Sequence, residues 1–104
     1  MELAKLAGIA SIKKAPDIIT YAHPIKVTSI NFNFNIRTNA IEIFCEVKAI
    51  DRTGVEMEAL TGVLIAALNI YDMIKSIDRS ASITDVELLE KSGGKSGKFM
   101  RGER

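Results

Sequence analysis

Three acidic side chains in one long apolar segment are the first candidates for chemistry. Glu56 and Glu58 stand at its beginning, Asp72 lies near its end, and Lys75 follows three residues later. Residues three apart on a helix are neighbours, so Asp72 and Lys75 can pair. On the surface such a pair contributes under about 1 kcal/mol, whereas in a buried site each group tunes the pKa of the other for acid–base work. The spacing leaves both interpretations open.

The two glutamates have an ordinary explanation as well as a chemical one. Glu56 and Glu58 precede the apolar middle of a predicted helix, where the helix dipole stabilises anions. Glu58 and Asp72 are fourteen residues apart, so they face nearly the same direction but lie roughly 21 Å apart along the helix axis. A single site that uses both therefore needs two copies of the chain.

The only histidine, His23, lies in the segment YAHP. Pro24 restricts the backbone there, which suits a rigid binding loop, and an imidazole can shuttle a proton near neutral pH. A purely structural role is the alternative. With one histidine and one cysteine, Cys45, and no clustered spacing, we expect no metal site and no cofactor.

Lysines and glycines alternate near the C-terminus, in the order Lys91, Gly93, Gly94, Lys95, Gly97, Lys98. Glycines let backbone N–H groups approach oxyanions and lysines add charge, so the segment suits a phosphate clamp. A mobile basic tail over residues 91–104 is the alternative. The letters GGKS do not form a Walker A loop, because Leu89 stands where that motif requires its first glycine. Lys13 and Lys14 would add charge if they face the same cleft.

The elements that position these groups follow from periodicity. Residues 3–14 carry apolar side chains every three residues, which predicts a short helix that Pro16 and Asp17 end. Apolar and polar residues alternate from Ile30 to Ile36 and again over residues 41–48, which predicts two strands over residues 27–36 and 41–48. The segment 37–40 can turn between them, so they form a hairpin. One face of the first strand is apolar, with Ile30, Phe32, Phe34 and Ile36.

A long helix is predicted over residues 55–77, followed by a last strand over 83–89 that places Thr84, Val86 and Leu88 on one face. The middle of the helix is apolar all round, so it is buried on most sides or lies in an oligomer interface. Thr61, Gly62 and Asn69 interrupt the apolar stretch and argue against a membrane span. Helices and strands in this order predict an α+β fold with helices on one face of an antiparallel sheet.

Composition agrees with one ordinary globular domain over residues 1–104. The chain has 104 residues and a formal net charge of +1, so charge predicts neither a nucleic-acid nor a membrane partner. The single cysteine cannot form an internal disulfide, which favours a reducing compartment and a cytoplasmic location.

Four segments together resemble the molybdenum cofactor biosynthesis protein C family of cyclic pyranopterin monophosphate synthases. They are LAGI, DIITYAHP, RTGVEMEALTGVLIAALNIYDMIK and VELLEKSGGKSG, and the likeness runs from residue 6 to about residue 97. The resemblance implies a ferredoxin-like fold and a homo-hexamer, a trimer of dimers, with the site between subunits. It implies a lyase that converts 3′,8-cyclised dihydro-GTP into cyclic pyranopterin monophosphate and releases pyrophosphate. Members of the family carry an upstream segment with a first strand, so this sheet is expected to lack that strand.

The resemblance also assigns roles. It implies that Asp72 and Lys75 are catalytic. It implies that the purine-nucleotide-derived substrate is bound by Tyr21, Ala22, His23, Glu56, Met57, Glu58, Lys91 and Lys13. The family often has a cysteine where this sequence has Ala22.

Three other interpretations stay open. A domain of this fold can bind single-stranded RNA through exposed aromatic residues, but Phe32 and Phe34 lack the neighbouring basic and glycine residues of that signature. The domain can also be a small-molecule-binding module without catalysis. Finally, it can be an inactive, truncated homologue.

Overall fold

The computed structural model describes residues 2–18, 27–49, 55–91 and 99–101. Six elements follow one another, namely α1 (Glu2–Ile18), β1 (Val27–Ile36), β2 (Ile41–Ala49), α2 (Glu56–Ile74), β3 (Glu90–Lys91) and β4 (Phe99–Met100). β1 and β2 form one antiparallel sheet, and β3 and β4 form a second. The α1 and α2 helices pack against each other and α2 packs against β2. The arrangement is α+β, as predicted, and is consistent with a partial ferredoxin-like fold.

The β1–β2 hairpin is confirmed in both position and orientation. Ile36 pairs with Ile41 and Phe34 with Ile43 in antiparallel register. The turn is closed by the Arg37 N–H, which donates to the carbonyl of Ala40 at 2.8 Å. Because strand side chains alternate, one face of the hairpin presents its apolar residues to the helices and the other presents asparagines to solvent.

The core lies between the hairpin and the two helices. Ala4 of α1 and Ala66 and Ile70 of α2 are buried together. The partly buried side chains that pack on them come from both strands and the end of α2, namely Phe32, Phe34, Ile41, Ile43 and Ile74. The rings of Phe32 and Phe34 stack with centroids 6.1 Å apart. Both rings are therefore core, as predicted, and not a surface for stacking bases.

Two glycines allow α1 and α2 to approach closely. A Cβ on Gly62 would lie 2.7 Å from Cδ1 of Ile12, and a Cβ on Gly8 would overlap the ring of Phe32. Ile12 is only 1% exposed, so its side chain is packed where the two helices cross. The small residues at the crossing of the helices thus determine their separation.

The predicted end of α1 at Pro16 and Asp17 was wrong, because the helix continues to Ile18. Proline has a φ that fits a helix, and what it loses is its own N–H bond to the carbonyl four residues earlier. Pro16 therefore leaves only the carbonyl of Ile12 without its helix hydrogen bond. The helix therefore continues for two residues beyond the proline.

α2 is a continuous helix, slightly shorter than predicted. Its buried positions form one stripe, Glu58, Gly62, Ala66 and Ile70, so it is not buried on most sides within one copy. By length and composition it is the one helix in the described residues that could cross a membrane, a test that core helices of globular proteins also pass. Here the buried stripe of α2 faces α1 and the hairpin.

The predicted last strand over residues 83–89 was wrong in this single chain. No described strand lies beside that segment, and a strand needs a hydrogen-bonded neighbour. Asp85 also has a φ of 53°, a left-handed conformation that interrupts an extended run. The carbonyls of Leu88 and Leu89 instead accept hydrogen bonds from the side chain and the backbone N–H of Arg101, at 2.8 and 2.6 Å.

The predicted mobile tail falls partly outside the described residues. Where it is described, β4 pairs with β3, with Glu90 opposite Met100 and Lys91 opposite Phe99. Residues 92–98 and 102–104 lie outside the described residues, so the mobility of the tail stays a prediction.

Candidate functional site

A cavity of about 440 Å³ lies between α1, the first residues of β1 and the first turn of α2. Its apolar wall is formed by Ile9, Ile12, Val27 and Ile30. Its polar groups are Lys13, Thr28, Ser29 and Glu58. A mostly apolar cavity with a few convergent polar side chains is the usual form of a small-molecule site.

Glu58 is the most unusual side chain in this cavity. It is only 3% exposed, and its Oε2 has no hydrogen-bond partner among the described residues. Its place in the first turn of α2 agrees with the helix dipole, but a dipole does not replace a hydrogen bond. Leaving a buried acceptor unsatisfied costs about 1–3 kcal/mol, and a hydrogen-bond donor in the cavity would remove this cost.

Lys13 supplies the opposite charge. It is exposed on α1 and lines the same cavity as Glu58. Lys14 is also exposed but is not among the lining residues, so only one of the two lysines faces this cleft. The structure thus brings together Lys13 and Glu58, two of the predicted substrate-binding residues.

Thr28 and Ser29 were missed by the sequence analysis. The pairing of β1 with β2 shifts register between Val27 and Ser29, which leaves Thr28 as an extra residue. Such a bulge redirects side chains, and here it places two hydroxyls at the cavity. The signal was visible in the sequence, because strict alternation in this strand begins only at Ile30.

Asp72 and Lys75 form the predicted ion pair, with Lys75 Nζ 2.7 Å from Asp72 Oδ1. Hydrogen bonding to the Asp72 carboxylate, with its charge, raises the pKa of Lys75. The side chains are 72% and 52% exposed, respectively. In one copy of the chain the pair therefore has the properties of a surface ion pair.

The two halves of the predicted site are far apart within one chain. Because α2 is continuous from Glu56 to Ile74, Glu58 and Asp72 are separated by roughly 21 Å along its axis. The two groups lie near opposite ends of α2, so a ligand of nucleotide size does not reach both of them within one chain. The expectation that one copy does not complete the site is consistent with this geometry.

The other predicted residues are distributed as follows. Glu56 is half-buried in the first turn of α2, and Met57 is 39% exposed on its outer side. Tyr21, Ala22 and His23 lie outside the described residues. Lys91 belongs to β3, and its side chain is outside what the structure describes. Within the described residues no three histidine, cysteine, aspartate or glutamate side chains are grouped as metal ligands.

Comparison with known proteins decides the family. The MoaC family model matches residues 1–94. The chain belongs to the MoaC family. A MoaC-family relative from Streptomyces avermitilis, named cyclic pyranopterin monophosphate synthase, is 49% identical over 98 residues, which are 94% of this chain and 58% of the relative.

Two further relatives carry the same name. The protein from Pelobacter propionicus is 48% identical over 103 residues, covering 97% of this chain and 64% of the relative. The protein from Desulforamulus reducens is 50% identical over 100 residues, covering 95% and 61%. The chain therefore spans about three fifths of the length of these MoaC-family relatives.

Proposed function

We propose that this chain takes part in the reaction for which its relatives are named, as a lyase of molybdenum cofactor biosynthesis. The substrate is 3′,8-cyclised dihydro-GTP and the products are cyclic pyranopterin monophosphate and pyrophosphate. Membership of the MoaC family supports the proposal. We also propose a cytoplasmic location and a homo-hexamer built as a trimer of dimers.

The observation that carries the proposal is the buried carboxyl of Glu58, whose Oε2 has no hydrogen-bond partner among the described residues and which lines the same cavity as Lys13. A purine-derived ring has adjacent N–H donors, and a carboxylate accepts such hydrogen bonds at short distance. A triphosphate needs cations, and the Lys13 ammonium supplies one at the open side of the cavity. The pair thus suits a ligand with a donor-rich ring at one end and phosphate at the other.

Thr28 and Ser29 complete this half of the site. Ser29 Oγ accepts a hydrogen bond from Asn31 Nδ2 at 3.2 Å, so its own hydroxyl hydrogen is available to a ligand oxygen. A hydroxyl both donates and accepts. We assign these two residues to orienting the sugar or phosphate portion of the substrate.

Proton transfer is assigned to Asp72 and Lys75. The rearrangement moves protons between carbon, nitrogen and oxygen, which requires a positioned base and acid. The two side chains already share a hydrogen bond of 2.7 Å, so one can take a proton while the other gives one. His23 and Lys91 are proposed to bind the phosphates.

The test is the release of pyrophosphate and pterin from 3′,8-cyclised dihydro-GTP by the purified chain, with substrate affinity measured by calorimetry. Lys13→Ala is expected to weaken binding about tenfold or more, since one charge-assisted contact is lost. Lys14→Ala is the matched control, because Lys14 is exposed and adjacent but does not line the cavity.

The outcomes separate the alternatives. Equal loss of affinity in Lys13→Ala and Lys14→Ala would show a general charge effect and contradict the cavity assignment. Binding without turnover by the wild-type chain would leave a binding module or an inactive homologue. Absence of both from a folded chain would remove the substrate assignment for residues 1–104.

A further inference from the structure

The backbone of Arg101 is hydrogen-bonded to the segment that leads into β3. Its N–H donates to the carbonyl of Leu89 at 2.6 Å. Leu89 precedes Glu90 and Arg101 follows Met100, so this bond continues the antiparallel register of β3 and β4. The hydrogen-bonded pairing therefore extends one residue beyond the two residues of each strand.

The side chain of Arg101 contacts the two residues before Leu89. Its Nε donates to the carbonyl of Leu88 at 2.8 Å and lies 3.8 Å from Glu87 Oε2. The side chains of Arg101 and Glu87 are 38% and 20% exposed, so this ion pair is more enclosed than that of Asp72 with Lys75. Solvent and salt screen a partly buried pair less than an exposed one. The planar guanidinium has several N–H donors, so one side chain can hold a carbonyl and a carboxylate together.

The shortness of β3 makes these contacts important. β3 and β4 have two residues each, and together they form a sheet of only two strands. An isolated two-stranded sheet is marginally stable in water. Residues 83–89, which precede β3, are not a strand. Arg101 contacts three consecutive residues of that segment, 87–89, and so joins β4 to the chain immediately before β3.

We propose that Arg101 is a positioning residue that holds β4 against β3 and thereby fixes the position of Lys91. The inference rests on the function proposed above, in which Lys91 binds phosphate. Lys91 pairs with Phe99, two residues before Arg101, so release of β4 removes the strand neighbour of Lys91. A ligand group that is held in place before binding loses less conformational freedom when the ligand arrives. Arg101 acts through Lys91, because its own Nε hydrogen is donated to the carbonyl of Leu88.

The first test needs no substrate and measures whether Arg101 holds β4. Chymotrypsin cleaves after Phe99 only when β4 leaves its pairing with β3, and the product is identified by its mass. Arg101→Gln is expected to speed this cleavage about tenfold, because cleavage follows the population of the open form. Glu87→Gln keeps the guanidinium and should give a smaller increase. Arg79→Gln, at an exposed arginine in the turn after α2, is the matched control and should not change the rate.

An unchanged cleavage rate in Arg101→Gln would overturn the role of Arg101 in holding β4. The second test then separates positioning of Lys91 from a purely structural role. Arg101→Gln is expected to raise the KM for 3′,8-cyclised dihydro-GTP about tenfold and to leave kcat within about twofold, as expected for loss of a contact made equally in ground state and transition state. Arg101→Lys keeps the charge without the fork, so its KM should be intermediate. Faster cleavage with an unchanged KM would overturn the positioning of Lys91.

The third test asks whether Arg101 acts through Lys91. In a Lys91→Ala background, Arg101→Gln is expected to cause no further rise in KM, because the group that it positions is absent. Increases in KM that multiply would show that Arg101 contacts the substrate itself, and would overturn the inference.

Binding of pyrophosphate, measured by calorimetry, separates the inference from the proposed function. Both Lys91→Ala and Arg101→Gln are expected to weaken pyrophosphate binding about tenfold, since a charge-assisted contact is lost or loosened. The same result in a wild-type chain without turnover would contradict the proposed function and support the positioning of Lys91. Unchanged affinity in Lys91→Ala would mean that Lys91 does not bind phosphate, and would overturn the inference.

Discussion

Lys13 and Glu58 line the same cavity, although one is an exposed residue of α1 and the other a buried residue of α2. The lysine is exposed, so water solvates its ammonium group. The glutamate has an oxygen without a hydrogen-bond partner in the described part of the chain. Because of this difference in exposure, we expect a bound ligand to change the hydrogen bonding of Glu58 more than that of Lys13.

Glu58→Gln is expected to stabilise the ligand-free chain by about 1 kcal/mol, because a neutral amide is less costly to bury than a carboxylate. The same change should weaken substrate binding. Thermal unfolding with and without substrate measures both effects. Glu46→Gln is the control, since Glu46 is an exposed residue of β2 that does not line the cavity. A destabilised Glu58→Gln chain would mean that Glu58 has a partner in the ligand-free protein.

Asp72→Asn is expected to abolish product formation while the mass of the assembly is kept. The pair with Lys75 is exposed, so its loss should lower the free energy of unfolding by less than about 1 kcal/mol. Turnover and sedimentation are measured on the same sample. Asp78→Asn, at an exposed aspartate in the turn after α2, should retain turnover. Full activity in Asp72→Asn would remove the catalytic assignment.

Gly62→Ala is expected to destabilise the fold by about 1 kcal/mol. Alanine favours the helix by about 1 kcal/mol, but its Cβ would lie 2.7 Å from Cδ1 of the enclosed Ile12 side chain, and such overpacking costs about 1–3 kcal/mol. A double-mutant cycle with Ile12→Ala checks the cause. If the cost of Gly62→Ala is unchanged when Ile12 is truncated, the close approach of α1 to α2 is not its source.

The thiol of Cys45 is expected to be unreactive in the native chain. Burial, with the nearby Glu46 carboxylate, raises the pKa of Cys45 to about 11. Relative to a free thiol, the thiolate fraction at pH 8 falls by about a hundredfold. The rate of reaction with a disulfide reagent at pH 8, before and after unfolding in urea, measures this difference.

The raised pKa also has a defined effect on stability. An unfolded thiol ionises near pH 8.5, so above that pH the unfolded chain loses a proton that the folded chain keeps. Cys45 therefore lowers the free energy of unfolding as the pH rises from about 9 to about 11, and contributes nothing at neutral pH. Cys45→Ser should remove this slope. If the Cys45 thiol of the native chain reacts with the disulfide reagent as fast as it does in urea, the thiol is not protected by burial.

The elements that depend on local pattern could be predicted from the sequence. Two-residue alternation defined β1 and β2, and the apolar run defined α2, because these patterns record which face of an element is buried. The pairing of Asp72 with Lys75 also followed from spacing on a helix. The family could be recognised from the motif containing Glu56 and Glu58, together with its distance from Asp72.

Other features depend on contacts between elements, and only the tertiary structure decided them. The segment 83–89 has a strand-like sequence, but it is a strand only where another strand lies beside it. The bulge at Thr28, the cavity that Lys13 shares with Glu58 and the burial of the Glu58 carboxyl arise where α1, β1 and α2 meet. The sequence indicates which local structure each residue favours. A site depends on the distances between residues that are far apart in the chain, and packing determines those distances.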